Sequence, residues 1–195
     1  PSPSPSPSPL TSHLSPSPQP QVAVAEAGGI SPLIALLSGS PDVHRDASGA
    51  LWSLAGDPTN RRLIADNGGI ERLVALLKSE DATAGTAAGA LYALAEAEAN
   101  RSPIAQAGGI KLLLALLRGS RSEDAKEQAA GVLETLGKDP SNLRTIVDGL
   151  VEILNGGAPM GQDHVTRLLR NLAQDPENRA VIAKAGAVPQ VWPPR

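Results

Sequence analysis

The sequence predicts an all-α solenoid of about four repeated helical units, with partial units at both ends. Three observations predict it. One turn recurs at a fixed interval, as Ala27-Gly28-Gly29-Ile30, Asn67-Gly68-Gly69-Ile70 and Ala107-Gly108-Gly109-Ile110, forty residues apart each time. Between the turns, apolar residues fall at helical spacing, as Val43, Ala47, Ala50, Leu51 and Leu54 do. Aromatic residues make up only 2% of the 195, with two Trp, one Tyr and no Phe, so the core must be built from Leu, Ile, Val and Ala. That composition disfavours β-sandwiches and barrels.

Residues 1–20 hold eight Pro and seven Ser and no Asp, Glu, Lys or Arg. Proline neither propagates a helix nor donates to a ladder, so this stretch is expected to be an extended tail, with the solenoid over 21–195. Its Ser-Pro steps read first as plain linker, with proline-directed phosphorylation or capture by a polyproline-reading groove as the alternatives. It has neither the basic start nor the apolar centre of a secretory signal. The chain opens on Pro1, as a processed chain or a piece of a longer one would.

Each Gly-Gly turn leads into a short helix, over residues 33–37, 73–77 and 113–117, with 150–154 as the fourth, apolar nearly all round and therefore expected to be buried. A longer helix follows each one, over 42–55, 81–95, 123–136 and about 159–173. A further short helix then opens at Asp57-Pro58, where Asp57 caps free amides and Pro58 fills the first turn, and the device repeats at Asp139-Pro140 and Asp175-Pro176. Asn60, Asn100, Asn142 and Asn178 recur just inside these starts and are given a structural role there. The Gly-Gly turn degenerates at Asp148-Gly149-Leu150 and returns as Gly186-Ala187-Val188. Ile64 to Leu73 and Ile104 to Leu113 each span nine residues while Ile146 to Leu150 spans four, so the fourth unit should sharpen or fuse its first two helices.

Composition removes whole classes of function. With 17 basic against 20 acidic side chains the net charge is −3, without the cationic excess that nucleic-acid binding requires. Zero Cys excludes disulfides, Cys-ligated zinc and thiol catalysis. The longest apolar run, from Ile110 to Leu117, is too short to span a membrane and contains Lys111. His13, His44 and His164 are scattered, so no metal cluster is expected. His44-Arg45-Asp46 imitates a kinase catalytic-loop tripeptide without its companions, and the Gly-Gly pairs lack the Lys-Ser/Thr of a phosphate-binding loop. Asn100-Arg101-Ser102 is followed by Pro103, which makes it a poor glycosylation acceptor. No catalytic constellation can be assembled, so the chain reads as a non-enzyme without cofactor or metal.

Three helices of unequal length per unit, with Ala-Ala-Gly-Ala-Leu-Tyr-Ala-Leu-Ala over 87–95 and Asn-Arg-Arg-Leu-Ile-Ala-Asp-Asn-Gly-Gly-Ile over 60–70, resemble armadillo repeats across residues 21–192. The resemblance implies a right-handed superhelix whose third helices stack side by side and line a concave groove. One repeated position then becomes a ladder of side chains, here Trp52, Tyr92, Glu134 and Arg170, with a second ladder of Gly56, Glu96, Lys138 and Gln174 one turn later. In armadillo proteins that bind basic peptides these positions tend to hold Trp and Asn. Here only Trp52 matches, which argues against recognition of a nuclear localisation signal.

The candidate partner-binding residues are Trp52, Tyr92, Glu96, Glu134, Lys138, Arg170 and Trp192. The competing reading is that Trp52 and Tyr92 merely cover neighbouring helices. Gly49, Gly89 and Gly131, three residues before the first three rungs, imply close approach of a neighbouring helix. Neither end carries an evident polar cap: Val22, Val24 and Ile30 lack a preceding long helix, and Trp192 either folds over Leu168 and Leu172 or inserts into a partner. The expected function is a protein–protein scaffold that holds an extended segment or a neighbouring subunit along the groove and at its ends. The alternative is an architectural subunit of a large assembly, axonemal or organellar. Cytoplasm is the default compartment, with an organelle or cilium as the alternative.

Overall fold

The structure, a computed structural model, describes residues 20–79, 82–120, 122–156 and 161–186. The Ser-Pro steps and Trp192 lie outside the described residues. Among the described residues every regular element is a helix. The first unit comprises α1 (Pro20–Glu26), α2 (Ile30–Leu36) and α3 (Pro41–Leu54). The second comprises α4 (Pro58–Asp66), α5 (Gly69–Leu76) and α6 (Ala82–Ala95), and the third α7 (Glu98–Gln106), α8 (Gly109–Gly119) and α9 (Glu123–Leu136). The fourth unit has two helices, α10 (Pro140–Asn155) and α11 (Gln162–Leu172), and α12 (Pro176–Lys184) opens a fifth. The long helices α3, α6, α9 and α11 pack in that order as one layer, each backed by the second helix of its own unit. A continuous apolar core runs through the stack from Ile30 to Ile182.

The recurrent turn works through glycine's freedom at positive φ. Gly68 and Gly108 sit at +76° and +84° and let the chain swing from a short first helix into the second, a conformation other L-residues adopt at a cost. At the fourth unit the shortened spacing removes that turn. Gly149 has no positive φ, and α10 runs through as a single 16-residue helix, the fused outcome the spacing allowed. Gly149 still has a packing role, because a Cβ there would collide with Leu114 of α8. The left-handed turn returns at Gly186.

The joint between units rests on repeated side-chain donors. Asn60, Asn100, Asn142 and Asn178 donate their amide N–H to the carbonyls of Leu54, Leu94, Leu136 and Leu172, at 3.0, 2.9, 3.3 and 3.0 Å. Arg61, Arg101 and Arg179 donate to the next carbonyls, of Ala55, Ala95 and Ala173. Each pair satisfies carbonyls that the end of a long helix leaves without intrahelical donors. The structural role expected of the Asn residues is therefore real, but it serves the helix that ends as well as the one that starts. Asp57, Asp139 and Asp175 cap the following helices by accepting from the amides of Thr59, Ser141 and Glu177, while Ala97 at the equivalent position makes no side-chain cap.

Two expectations need correction. The fourth long helix starts at Gln162 rather than near 159, because Gly161 before it adopts φ +88° against the Leu117 carbonyl, and Pro159 itself lies outside the described residues. The second helices are not uniformly buried: Ala75 of α5 is exposed between buried Val74 and Leu76, and Leu36 of α2 is 43% exposed where no earlier unit among the described residues covers it.

Within the long-helix layer, glycine lets an aromatic ring of the preceding helix lie flat. A Cβ on Gly89 would stand 2.6 Å from the Trp52 ring, and one on Gly131 would stand 3.3 Å from the Tyr92 ring. At Gly49, in the first unit, the same position is open, with nothing within 4 Å.

Four outcomes follow from these contacts. Gly89→Ala should cost about 1–3 kcal/mol in urea unfolding, since the Trp52 ring must move, while Gly49→Ala should raise stability by about 1 kcal/mol. Ala97→Asp should add about 1 kcal/mol by supplying the missing cap. The Ser141 hydroxyl and amide hold the Asp139 carboxyl below its ordinary value. A lowered folded-state pKa contributes stability above the unfolded value, about pH 4, that is lost as pH falls through the folded value. Ser141→Ala should therefore narrow the acid-dependent loss of stability measured between pH 5 and pH 2.

Candidate functional site

The long-helix layer places the first ladder on one face of the stack, with its rungs in four different environments. Trp52 is half-buried against the core with its ring on Gly89. Tyr92 is 39% exposed, its ring edge on Gly131. Glu134 is half-buried and accepts a 2.9 Å hydrogen bond from the Asn171 amide on α11. Arg170 is exposed. In the second ladder Glu96 and Lys138 are exposed, as are Gly56 and Gln174. Trp52 and Tyr92 each cover a neighbouring helix, and Tyr92 also keeps a large part of its surface free. That result accounts for Gly89 and Gly131 as a helix-packing device, while Gly49 has nothing within 4 Å.

A feature the sequence reading missed lies on the α9–α11 seam. Glu127 pairs with Arg167 and stands 3.4 Å from His164 Nε2, and Glu123 stands 3.9 Å from the same nitrogen. The Lys126 ammonium, only 3% exposed, donates to Glu123 at 2.6 Å and is the main reason the Glu123 carboxyl titrates below its ordinary value. His164 is therefore part of an ionic seam between two long helices. The signal was the position of Arg167, which stands where Gly89 and Gly131 stand in the preceding units: where the notch is filled by a charged side chain, the preceding helix must supply its partner. His44, by contrast, bonds the Gly39 carbonyl at 3.2 Å beside the start of α3.

The opposite layer offers a different surface. Between α8 and α10 runs a groove of about 740 Å³ with Ile110, Leu114 and Ile153 at its floor and Lys111, Arg118 and Glu152 at its rim. Among the described residues no group of His, Asp and Glu is arranged to hold a metal ion, and no helix is long and apolar enough to cross a membrane.

The chain can now be set beside known proteins. Residues 17–56 and 98–136 match the Armadillo/beta-catenin-like repeat family. No curated protein sequence matches it. An engineered protein solved by the Northeast Structural Genomics Consortium is similar over 87% of this chain and 73% of its own, at 31% identity and a TM-score of 0.72. A designed armadillo repeat protein solved with the peptide (KR)4 covers the same share of this chain and 75% of its own, at 22% identity and a TM-score of 0.72. Computationally designed armadillo repeat proteins for modular peptide recognition give a TM-score of 0.71 at 22% identity, over 87% of this chain and 76% of theirs. The last two share the fold, and together with the repeated turn, the three-helix unit and the long-helix layer these likenesses place the sequence: the chain belongs to the armadillo repeat family.

Proposed function

We propose that the chain is a non-enzymatic protein-interaction scaffold that holds an extended segment of a partner along the concave face of its long-helix layer. Trp52 and Tyr92 form the aromatic end of the track, and Glu96, Glu134, Lys138 and Arg170 its charged rungs. Trp192 is the expected contact where the chain leaves the last unit. The observation that carries the reading is Tyr92. In a chain with three aromatic residues, one ring is 39% exposed on the face shared by the four long helices, and its hydroxyl makes no hydrogen bond among the described residues. An aromatic ring held in place by a glycine beneath it loses little freedom on binding, which is what makes Tyr and Trp effective anchors.

The similar folds support the same reading, since one was solved with a peptide and another was designed for peptide recognition. The rungs here differ from a uniformly acidic track, because basic Lys138 and Arg170 follow Glu96 and Glu134. The matching segment therefore carries an apolar residue for the aromatic end and mixed charge beyond it. Membership of a larger assembly is compatible with this role when the segment belongs to a neighbouring subunit.

Panning a random twelve-residue peptide library against the immobilised chain tests the proposal, with affinities of the selected peptides measured by calorimetry. Tyr92→Ala should weaken them by about 2 kcal/mol, the size expected of an aromatic anchor, and Arg170→Glu should weaken those that carry an acidic residue. Selected peptides that bind both variants as well as the parent would remove the groove as the site and favour a purely architectural role.

A further inference from the structure

Among the described residues no long helix precedes α3 in the layer. Val43 and Ala50 of α3 are half-buried and Asp46 is exposed, whereas the counterparts of Val43 and Ala50 later in the stack are buried under the preceding long helix. Ala50 corresponds to Ala90, Val132 and Leu168, which are 0%, 0% and 1% exposed, and Val43 to Thr83 and Ala125 at 2% and 1%. The chain itself shows what belongs on such a face. Twice, an aromatic ring of the preceding helix occupies the glycine notch: Trp52 on Gly89 and Tyr92 on Gly131. At the α9–α11 seam, the residue three before the notch, His164, faces Glu127, which lies seven residues before the rung Glu134. On α3 the corresponding residue is Asp46, exposed and acidic, so the charge it faces should be basic.

We propose that the open face of α3 docks a helix not contained in these 195 residues, one that presents an aromatic residue to Gly49 and a lysine or arginine, seven residues earlier, to Asp46. Two other occupants fit this pattern less well. Residues 1–19 contain no Trp, Tyr, Phe, lysine or arginine, and their one ring is the His13 imidazole. A second copy stacked end to end would set Arg170 of its α11 over Gly49, but it would also set Asp163, seven residues earlier, against Asp46, and like charges repel there. The docking face continues the existing seam of α3, α6 and α9, so the partner helix extends the layer by one rung. It is independent of the peptide track proposed for the concave face.

The test uses a fluorescein-labelled, hydrocarbon-stapled peptide that copies residues 41–56 and so carries Arg45 and Trp52 at the required spacing. Titrated against the full chain, it should raise anisotropy and shift the backbone amides of Val43, Gly49 and Ala50. Arg45→Glu in the peptide should weaken binding about tenfold, and Asp46→Lys in the chain should restore it. Gly49→Leu in the chain should weaken binding by at least as much while the chain stays folded, because a side chain there enters open space. Absence of binding at millimolar peptide, or binding indifferent to Gly49→Leu, would overturn the proposal. So would self-association of the unliganded chain that Gly49→Leu abolishes, which would seat a second copy on the face, or shielding of the Gly49 amide that Leu10→Ser with Leu14→Ser removes, which would seat the tail.

Discussion

The architecture depends on one recurrent joint, in which an asparagine side chain ties the end of each long helix to the start of the next unit. Helix ends leave carbonyls without donors, and burying them unpaired in a tightly turned junction costs on the order of 1–3 kcal/mol each. Here Asn60, Asn100, Asn142 and Asn178 take one such carbonyl and Arg61, Arg101 and Arg179 the next. The joint therefore fixes both the exit angle of the long helix and the entry angle of the short one. Because the same donors sit six residues from the same acceptors every time, each unit is placed on its predecessor by the same operation, and a superhelix is the geometric result. The third joint, which leads into the fourth unit, keeps its Asn but has Leu143 in the Arg position, and Arg144 pairs instead with Asp148 along α10. A weakened joint and the fused helix occur together.

The units were legible in the sequence because repetition multiplies a weak signal. A single Gly-Gly pair says little, but three at one spacing, each before an apolar run, define a turn with positive φ, and the structure places Gly28, Gly68 and Gly108 there. The fusion of α10 was legible for the same reason, since a missing turn shows only against a regular spacing. The start of α11 was misread because Pro159 favours a helix start locally, whereas the backbone conformation of Gly161 against Leu117 is settled by a residue far away in sequence. Local propensity cannot report that contact.

The ladder was legible as a set of positions and less so as a set of environments. Alignment placed Trp52, Tyr92, Glu134 and Arg170 on one face, and nothing in the alignment distinguishes a ring packed on a neighbour from a ring open to solvent. The glycine three residues before each rung held the answer, read one unit later: Gly89 explains Trp52 and Gly131 explains Tyr92. Where that glycine becomes Arg167 the seam turns ionic, and Glu127, His164 and Asn171 take over the work of the ring. Pairwise reading of corresponding positions in adjacent units recovers the seam chemistry that reading along one helix misses.

The seams consequently change character along the stack, from Trp on Gly to Tyr on Gly to a cluster of carboxylates with Arg, His and Asn. In a repeat array, stability is a sum of unit and nearest-neighbour terms, so the seams do not share one response to conditions. Apolar contact between a ring and a glycine is insensitive to salt, whereas exposed ion pairs are screened within about 8 Å at physiological ionic strength. Glu127 and Arg167 are both about half exposed, at 55% and 51%, so their attraction is of the screened kind, while the Lys126 ammonium at 3% exposure is shielded from solvent and keeps its hold on Glu123. The α9–α11 seam is thus the one whose strength depends on the ionic surroundings. The outward side of α11 is also polar: Asp163, Thr166 and Arg170 stand where α6 has Gly85, Ala88 and Tyr92. One end of the long-helix layer therefore presents a small-residue notch beside Asp46 and the other presents charge.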